Sequence, residues 1–192
     1  VSLDRADKNI IWLGFQQGGI CRFSLNTKQV TVFPSPEIKD KQVNDILVLD
    51  KQVWVTTENS FVQLHRNSKL ISTQVFNNPT QLSVDEEANG WLICKTGLYK
   101  NNGEKLQLIV KTSEQALNEI HDMWQDEEDN TWYTTSGGII KQEANSDVKT
   151  IIRLPGLDNK TDITCLYQDA DQNLWIGTMG NGIYLLNTKT NA

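Results

Sequence analysis

Basic clusters, long apolar runs and paired cysteines are all missing from this chain, and each absence removes a class of function. Lysine and arginine total 18 against 24 aspartates and glutamates, a formal charge of −6. No stretch concentrates the positive charge, so the focused field that holds a nucleic-acid backbone is lacking. Anionic membrane surfaces are disfavoured for the same reason. The apolar runs are a handful of residues long, far short of the ~20 that cross a bilayer, so no direct membrane insertion by this segment is expected. The 3 cysteines, Cys21, Cys94 and Cys165, are an odd number at unmatched positions and make no disulfide framework. Buried free thiols are the expected state. No Cys/His spacing suits zinc, and neither a metal nor a cofactor is expected. Only 2 histidines occur, His65 and His121. His121 beside Asp122 suggests a catalytic pair on paper, yet a general base needs spatial partners, so surface or strand-edge roles are preferred. No nucleophile elbow, zinc-protease helix or phosphate loop is present, and no catalytic residue is assigned.

What the chain does have is tryptophan at a nearly fixed period: Trp12, Trp54, Trp91, Trp132 and Trp175, at intervals of 42, 37, 41 and 43 residues. A period near 40 marks a repeat architecture. Three copies carry an aspartate six residues before the tryptophan, at Asp85, Asp126 and Asp169. In the second copy Asp50 lies four before it, and in the first Asp4 and Asp7 are both available. A small residue and an apolar one follow each tryptophan at Gly19-Ile20, Ser60-Phe61, Gly97-Leu98, Gly138-Ile139 and Gly182-Ile183.

Each copy reads as four short strands. An apolar segment comes first (Asp45 to Leu49, Ile163 to Gln168). An Asp/Asn turn follows, since these side chains bond their own backbone and tolerate left-handed conformations. The tryptophan strand is rich in β-formers (Ile10 to Leu13, Val53 to Thr56). A third strand comes after the glycine (Ile20 to Ser24, Ile183 to Leu186). A fourth is expected at Gln29 to Phe33, Thr73 to Phe76, Leu106 to Val110 and Val148 to Ile152. Only Thr112 to Asp122 has a short helical look. Four strands per 40-residue unit predict an all-β chain of β-propeller blades, with repeats of about 1–36, 37–77, 78–112, 113–154 and 155–192. The five tryptophans are expected to pack between neighbouring blades. Five units could close as a ring, but both ends cut through a repeat, which predicts an arc of a larger propeller.

The turns at Asp85, Asp126 and Asp169 open like calcium loops, but none supplies both the glycine and the bidentate glutamate of a complete one. They are read as hairpin turns. Functional interest falls instead on two loop sets, those after each fourth strand and those between second and third. These are Pro34 to Asn44, Asn77 to Thr80, Ser113 to Asn118 and Pro155 to Thr161, with Gln16, Gln17, Glu58, Asn59, Lys95, Thr96, Ser136 and Met179 to Asn181. Their lengths vary while the Asp turns are regular, and loops on a rigid scaffold are where function concentrates. Trp124 stands outside the tryptophan register, in a first strand, as does Tyr167. Such strands line a propeller's central channel, where these rings either fill space or contact ligand. Candidate ligand-binding residues are therefore Trp124, Tyr167, Gln16, Gln17, Asn59, Lys95 and Asn181.

The segment Asp169-Ala-Asp-Gln-Asn-Leu-Trp-Ile-Gly-Thr178 followed by Gly182-Ile-Tyr-Leu-Leu-Asn187 resembles the two-component regulator propeller repeat, which reads Asp-x-x-Gly-x-Leu-Trp-Ile-Gly-Thr-x-x-Gly-Leu. Pro155-Gly-Leu-Asp158 and Ile163-Thr-Cys-Leu-Tyr167 fit its lead-in. The likeness is strong in the fifth copy, fair in the first and fourth, and degenerate in the second and third. It implies an arc of a seven-bladed propeller in the periplasmic, extracytoplasmic part of an inner-membrane hybrid sensor whose output is a histidine kinase. An oligosaccharide is the implied ligand. The remaining blades and domains of the receptor, and a second copy in a homodimer, are the implied partners. The repeat motif is structural and transfers no binding residue. A protein-interaction scaffold and a polysaccharide-cleaving enzyme on a propeller frame are the alternative readings.

Overall fold

The computed structural model describes residues 2–3, 7–49, 51–67, 69–76, 78–85, 87–94, 97–101, 106–111, 119–158 and 161–187. All of their regular structure is antiparallel strand, and no helix occurs among them. The first sheet runs β1 (Ser2–Leu3), β2 (Ile10–Gly14), β3 (Ile20–Ser24) and β4 (Val30–Phe33). The second runs β5 (Val43–Val48), β6 (Gln52–Thr57), β7 (Ser60–His65) and β8 (Leu70–Val75). The third contains β9 (Pro79–Val84), β10 (Gly90–Cys94), β11 (Gly97–Asn101) and β12 (Leu106–Lys111). The fourth contains β13 (Met123–Gln125), β14 (Thr131–Thr135), β15 (Gly138–Gln142) and β16 (Lys149–Ile152). The fifth has three strands, β17 (Ile163–Gln168), β18 (Asn173–Thr178) and β19 (Ile183–Asn187). Within each sheet the strands follow chain order, the meander of a propeller blade. Where a short helix is suggested, residues 119–122 form none and 112–118 lie outside the described residues.

Two compact units divide the chain, Val1–Ser83 and Val84–Ala192. In the first, Trp12, Ile20 and Phe33 pack with Ile46, Val48, Val53, Val55, Val62 and Leu64 of the next sheet, and Ile38 of the β4–β5 loop plugs the same core. In the second unit one cluster joins Trp91, Ile93, Leu98 and Val110 to Met123, Tyr133 and Ile140. Another joins Trp132 and Ile139 to Ile163, Leu174, Ile176 and Leu186. Burial falls off outward: β6 and β10 are buried on both faces, whereas β8 is almost wholly exposed.

Neighbouring sheets are also tied by buried carboxylates at two equivalent places. Asp45 accepts the Ile46 N–H at 2.8 Å and, from the following sheet, the Leu82 N–H at 2.8 Å. Asp122 repeats this with Met123 at 2.8 Å and Leu166 at 2.9 Å. Burial pushes the Asp45 carboxyl above its ordinary value, although both backbone N–H groups pull the other way.

Trp12, Trp54, Trp91 and Trp132 are buried as expected, but Trp175 is 43% exposed. Registry explains the difference. Tyr167, Trp175 and Leu185 stand in one cross-strand row, on the face opposite the Leu174, Ile176 and Leu186 core, and no described residue covers that row. Cys165, on the same face as Tyr167, is likewise exposed, whereas Cys21 and Cys94 are buried. Burial pushes the Cys94 thiol up to about 12.

Candidate functional site

At one end of the sheets a repeated clasp fixes the Asp turn. The Asp85 carboxylate accepts the Trp91 indole N–H at 3.0 Å, Asp126 that of Trp132 at 2.8 Å, and Asp169 that of Trp175 at 2.8 Å. The other oxygen takes the backbone N–H of Asn89, Asn130 or Asn173 at 2.8–2.9 Å. A cation completes two of the clasps. Lys100 lies 2.9 Å from Asp85 and over the Trp91 ring, and Lys141 lies 3.9 Å from Asp126 and over Trp132. Each lysine is the cross-strand partner of its tryptophan. In the second copy Gln52 takes the Trp54 indole N–H instead, at 2.8 Å. These carboxylate oxygens therefore serve N–H donors, and among the described residues no group of three acidic, histidine or cysteine side chains converges to hold a metal. Burial raises the Asp85 carboxyl, but hydrogen bonds from Asn89, Lys100 and Trp91 outweigh it and leave the group below its ordinary value.

The opposite end holds loops, and in the first unit three of them converge. Gln16 and Gln17 of the β2–β3 loop, Asp40, Lys41 and Gln42 of the β4–β5 loop, and Thr57, Glu58 and Asn59 at the β6–β7 turn line a cleft of about 300 Å³. Close backbone approach builds it. Gly19 donates its N–H to Ile38 O at 2.7 Å. At Gly18, which has φ 104°, an added Cβ would collide with the Lys39 carbonyl and Asp40 Cα, so only glycine permits this docking. Buried Ile38 anchors the β4–β5 loop from below.

Polar side chains in the cleft are held in place. Ser60 Oγ donates to Asn59 Oδ1 at 3.1 Å, which leaves the Asn59 amide N–H groups to point elsewhere. The same hydroxyl accepts from Lys41 Nζ at 3.2 Å and from Thr57 at 3.0 Å. Amides, one ammonium and two carboxylates on three loops suit a ligand with many hydroxyls, which both donate and accept.

Three of the sequence-derived candidates, Gln16, Gln17 and Asn59, thus share one cleft. Lys95 lies outside the described residues. Trp124, Tyr167 and Asn181 belong to the second unit. Trp124 is half-buried, its ring 5.8 Å from that of Trp132, in a hollow of about 270 Å³ beside Asp126, Glu128 and Gln168. It thus borders the Asp turn. Tyr167 is exposed on the open row of the fifth sheet, and Asn181 on the β18–β19 turn. Asp40, Lys41, Gln42 and Thr57 were missed one by one, although the loop Pro34 to Asn44 was singled out as a whole.

One cluster looks catalytic and is not. Ser136 Oγ donates to Asp162 Oδ1, and His121 Nε2 lies 3.6 Å from that same oxygen. The carboxylate sits between serine and histidine, so the imidazole has no path to the hydroxyl proton. A nucleophilic triad needs the histidine in the middle.

Residues 156–180 match the two component regulator propeller family. No curated protein sequence matches the chain. Among solved structures it resembles the extracellular domain of the putative hybrid two component system BT3049 from B. thetaiotaomicron, with a TM-score of 0.70 and 21% identity over 95% of this chain and 26% of that one. The corresponding domain of BT4673 from the same organism gives 0.73 and 16% over 100% and 28%. PorZ, a surface component of the type-IX secretion system of Porphyromonas gingivalis, gives 0.71 and 14% over 99% and 32%. Identities this low show the shared propeller fold, and this chain spans under a third of each molecule. In the family's pattern a glycine stands three residues after the aspartate; here Ala88, Asp129 and Gln172 occupy that position, with φ of 64°, 63° and 64°. These three turns therefore keep a left-handed residue where the family's pattern has glycine.

Proposed function

We propose that this chain is a ligand-sensing propeller segment of an extracytoplasmic receptor region, and that its ligand is an oligosaccharide held in the cleft of Gln16, Gln17 and Asn59. Ligand binding there biases the receptor between two arrangements, to the extent that the ligand prefers one of them, and a histidine kinase across the membrane reads the difference. The observation that carries this reading is the convergence of amides and charged groups from three loops on one rigidly supported cleft. The match at 156–180 and the likeness to extracellular domains of two-component systems support the sensing role. Calorimetric titration of an oligosaccharide panel tests it. One member binds, and Gln17→Ala or Asn59→Ala weakens that binding about tenfold, the scale of one good hydrogen bond. Failure of the whole panel, or affinity untouched by both variants, contradicts the proposal.

A scaffold role is the second reading, and the open row of Tyr167, Trp175 and Leu185 favours it, because contiguous exposed apolar surface marks protein contacts.

A further inference from the structure

Asparagine precedes glycine at Asn89-Gly90, Asn102-Gly103 and Asn181-Gly182. In this dipeptide the backbone nitrogen of the second residue can reach the side-chain amide carbon of the first, because glycine has no Cβ to crowd the approach. In a folded chain the reaction also needs an amide free to turn, a glycine nitrogen without an acceptor, and room for the backbone between them to rotate.

The fold treats two of these dipeptides in opposite ways, and Asn102-Gly103 lies outside the described residues. Asn89 is half-buried. Its backbone N–H donates to Asp85 Oδ1 at 2.8 Å, and its Nδ2 donates to Asp85 Oδ2 at 2.9 Å and to Glu87 Oε2 at 3.1 Å. Gly90 is buried at the start of β10. The clasp that holds the Trp91 indole therefore locks this asparagine too.

Asn181 is exposed on the β18–β19 turn. Neither its amide nor the Gly182 N–H has a hydrogen-bond partner among the described residues. Gly180 and Gly182 have φ of 93° and 80°, and a Cβ added at either would meet nothing within 4 Å, so the turn has room to rotate. Its base is held, since Gly182 O accepts the Thr178 N–H at 3.1 Å and the Thr178 hydroxyl at 2.8 Å. The glycine carbonyl is thus anchored while the nitrogen beside Asn181 is free.

We propose that Asn181 is a self-modification site, at which attack by the Gly182 backbone nitrogen converts the asparagine to isoaspartate and aspartate. A bond forms between that nitrogen and Asn181 Cγ, closing a succinimide. The Cγ–Nδ2 bond breaks, and ammonia leaves with the proton from Gly182. Water then opens the ring at either carbonyl. The product places a carboxylate at the loop end of the fifth sheet, and the isoaspartyl form lengthens the main chain by a carbon beside the Thr178–Gly182 closure. This chemistry is independent of the Gln16, Gln17 and Asn59 cleft and stands whether or not that cleft takes a sugar.

Peptide mapping by mass spectrometry tests it, on the 192-residue chain held in warm, mildly alkaline buffer, once folded and once unfolded in guanidinium chloride. Unfolded, Asn89 and Asn181 are expected to react at similar rates. Folded, Asn181 keeps most of that rate, while Asn89 slows at least about tenfold, the factor by which a hydrogen bond to a charged group raises a barrier. Isoaspartate at position 181 marks the succinimide route, because direct hydrolysis of the amide yields aspartate alone. Asn181→Gln, an exposed change that leaves the fold intact, is expected to leave that peptide unmodified, since the longer side chain closes its larger ring far more slowly. The proposal is overturned if folded Asn181 reacts no faster than folded Asn89, or if its product is aspartate alone. It is equally overturned if folding slows Asn181 as much as it slows Asn89.

Discussion

A buried tryptophan must find an acceptor for its indole N–H, and for Trp91 and Trp132 the aspartate six residues earlier supplies it. Asp85 and Asp126 therefore do more than start a turn: each joins the turn to a ring packed in the core, while Asp169 makes the same bond to an exposed ring. The six-residue spacing was legible in the sequence, but its reason was not, because turn chemistry alone accounts for an Asp at that place. The clasping cations were not singled out, although Lys100 and Lys141 each stand nine residues beyond their tryptophan. Asp85 yields a pH prediction. Its carboxyl lies below the ordinary value in the folded chain, so its stabilisation is complete above the unfolded pKa of about 3.9 and is lost as pH falls through the lower folded pKa. Asp85→Asn should therefore narrow the gap to the wild type as the pH drops below about 4 in urea titrations; a gap constant from pH 2 to 6 (roughly the span of carboxylate titration) would contradict the assignment. The left-handed residue of the same turn gives a second prediction. Ala88 at φ 64° carries a penalty of roughly 1–2 kcal/mol that glycine escapes, partly offset by glycine's greater unfolded freedom. Ala88→Gly should stabilise the chain by about 0.5–1 kcal/mol in denaturant melts.

Strand boundaries were the most legible feature of the elements. Ile20–Ser24 and Ile163–Gln168 appear with the bounds expected from the pattern, whereas β8 starts earlier than expected, at Leu70. β8 and β16 bury no residue, so apolar patterning hardly marks their ends. The exposure of Trp175 was not legible, since its local residues repeat those of the buried copies and only a covering sheet makes the difference. Ties between sheets were also invisible, because Asp45 and Leu82, or Asp122 and Leu166, lie far apart in the chain. The Asp122 tie predicts a specific loss. Asp122→Ala should lower stability by about 2–3 kcal/mol and speed amide hydrogen exchange at Leu166 more than at Ile176, which sits in the middle of its own sheet. Equal acceleration at both positions would show that Asp122 does not tie the two sheets.

For the molecule as a whole, the two ends of the sheets have different work. In three sheets the turn end is closed by an Asp–Trp clasp, and in the second sheet Gln52 takes the indole N–H instead. The loop end varies, and the cleft in the first unit is built there from glycine-permitted backbone contact and a buried isoleucine anchor. The loops of varied length include Gln16, Gln17 and Asn59, which meet in one cleft. Trp124, outside the tryptophan register, packs on Trp132 beside an Asp turn. The central claim is that ligand sensing resides at the loop end. Chemical-shift mapping with an oligosaccharide that binds is its most direct test. The account predicts shifts centred on Gln16, Gln17, Thr57 and Asn59, abolished together by Gly18→Ala, which prevents the two loops from docking. Shifts centred on the Asp126 and Asp169 turns, or a bound state indifferent to Gly18→Ala, would contradict it.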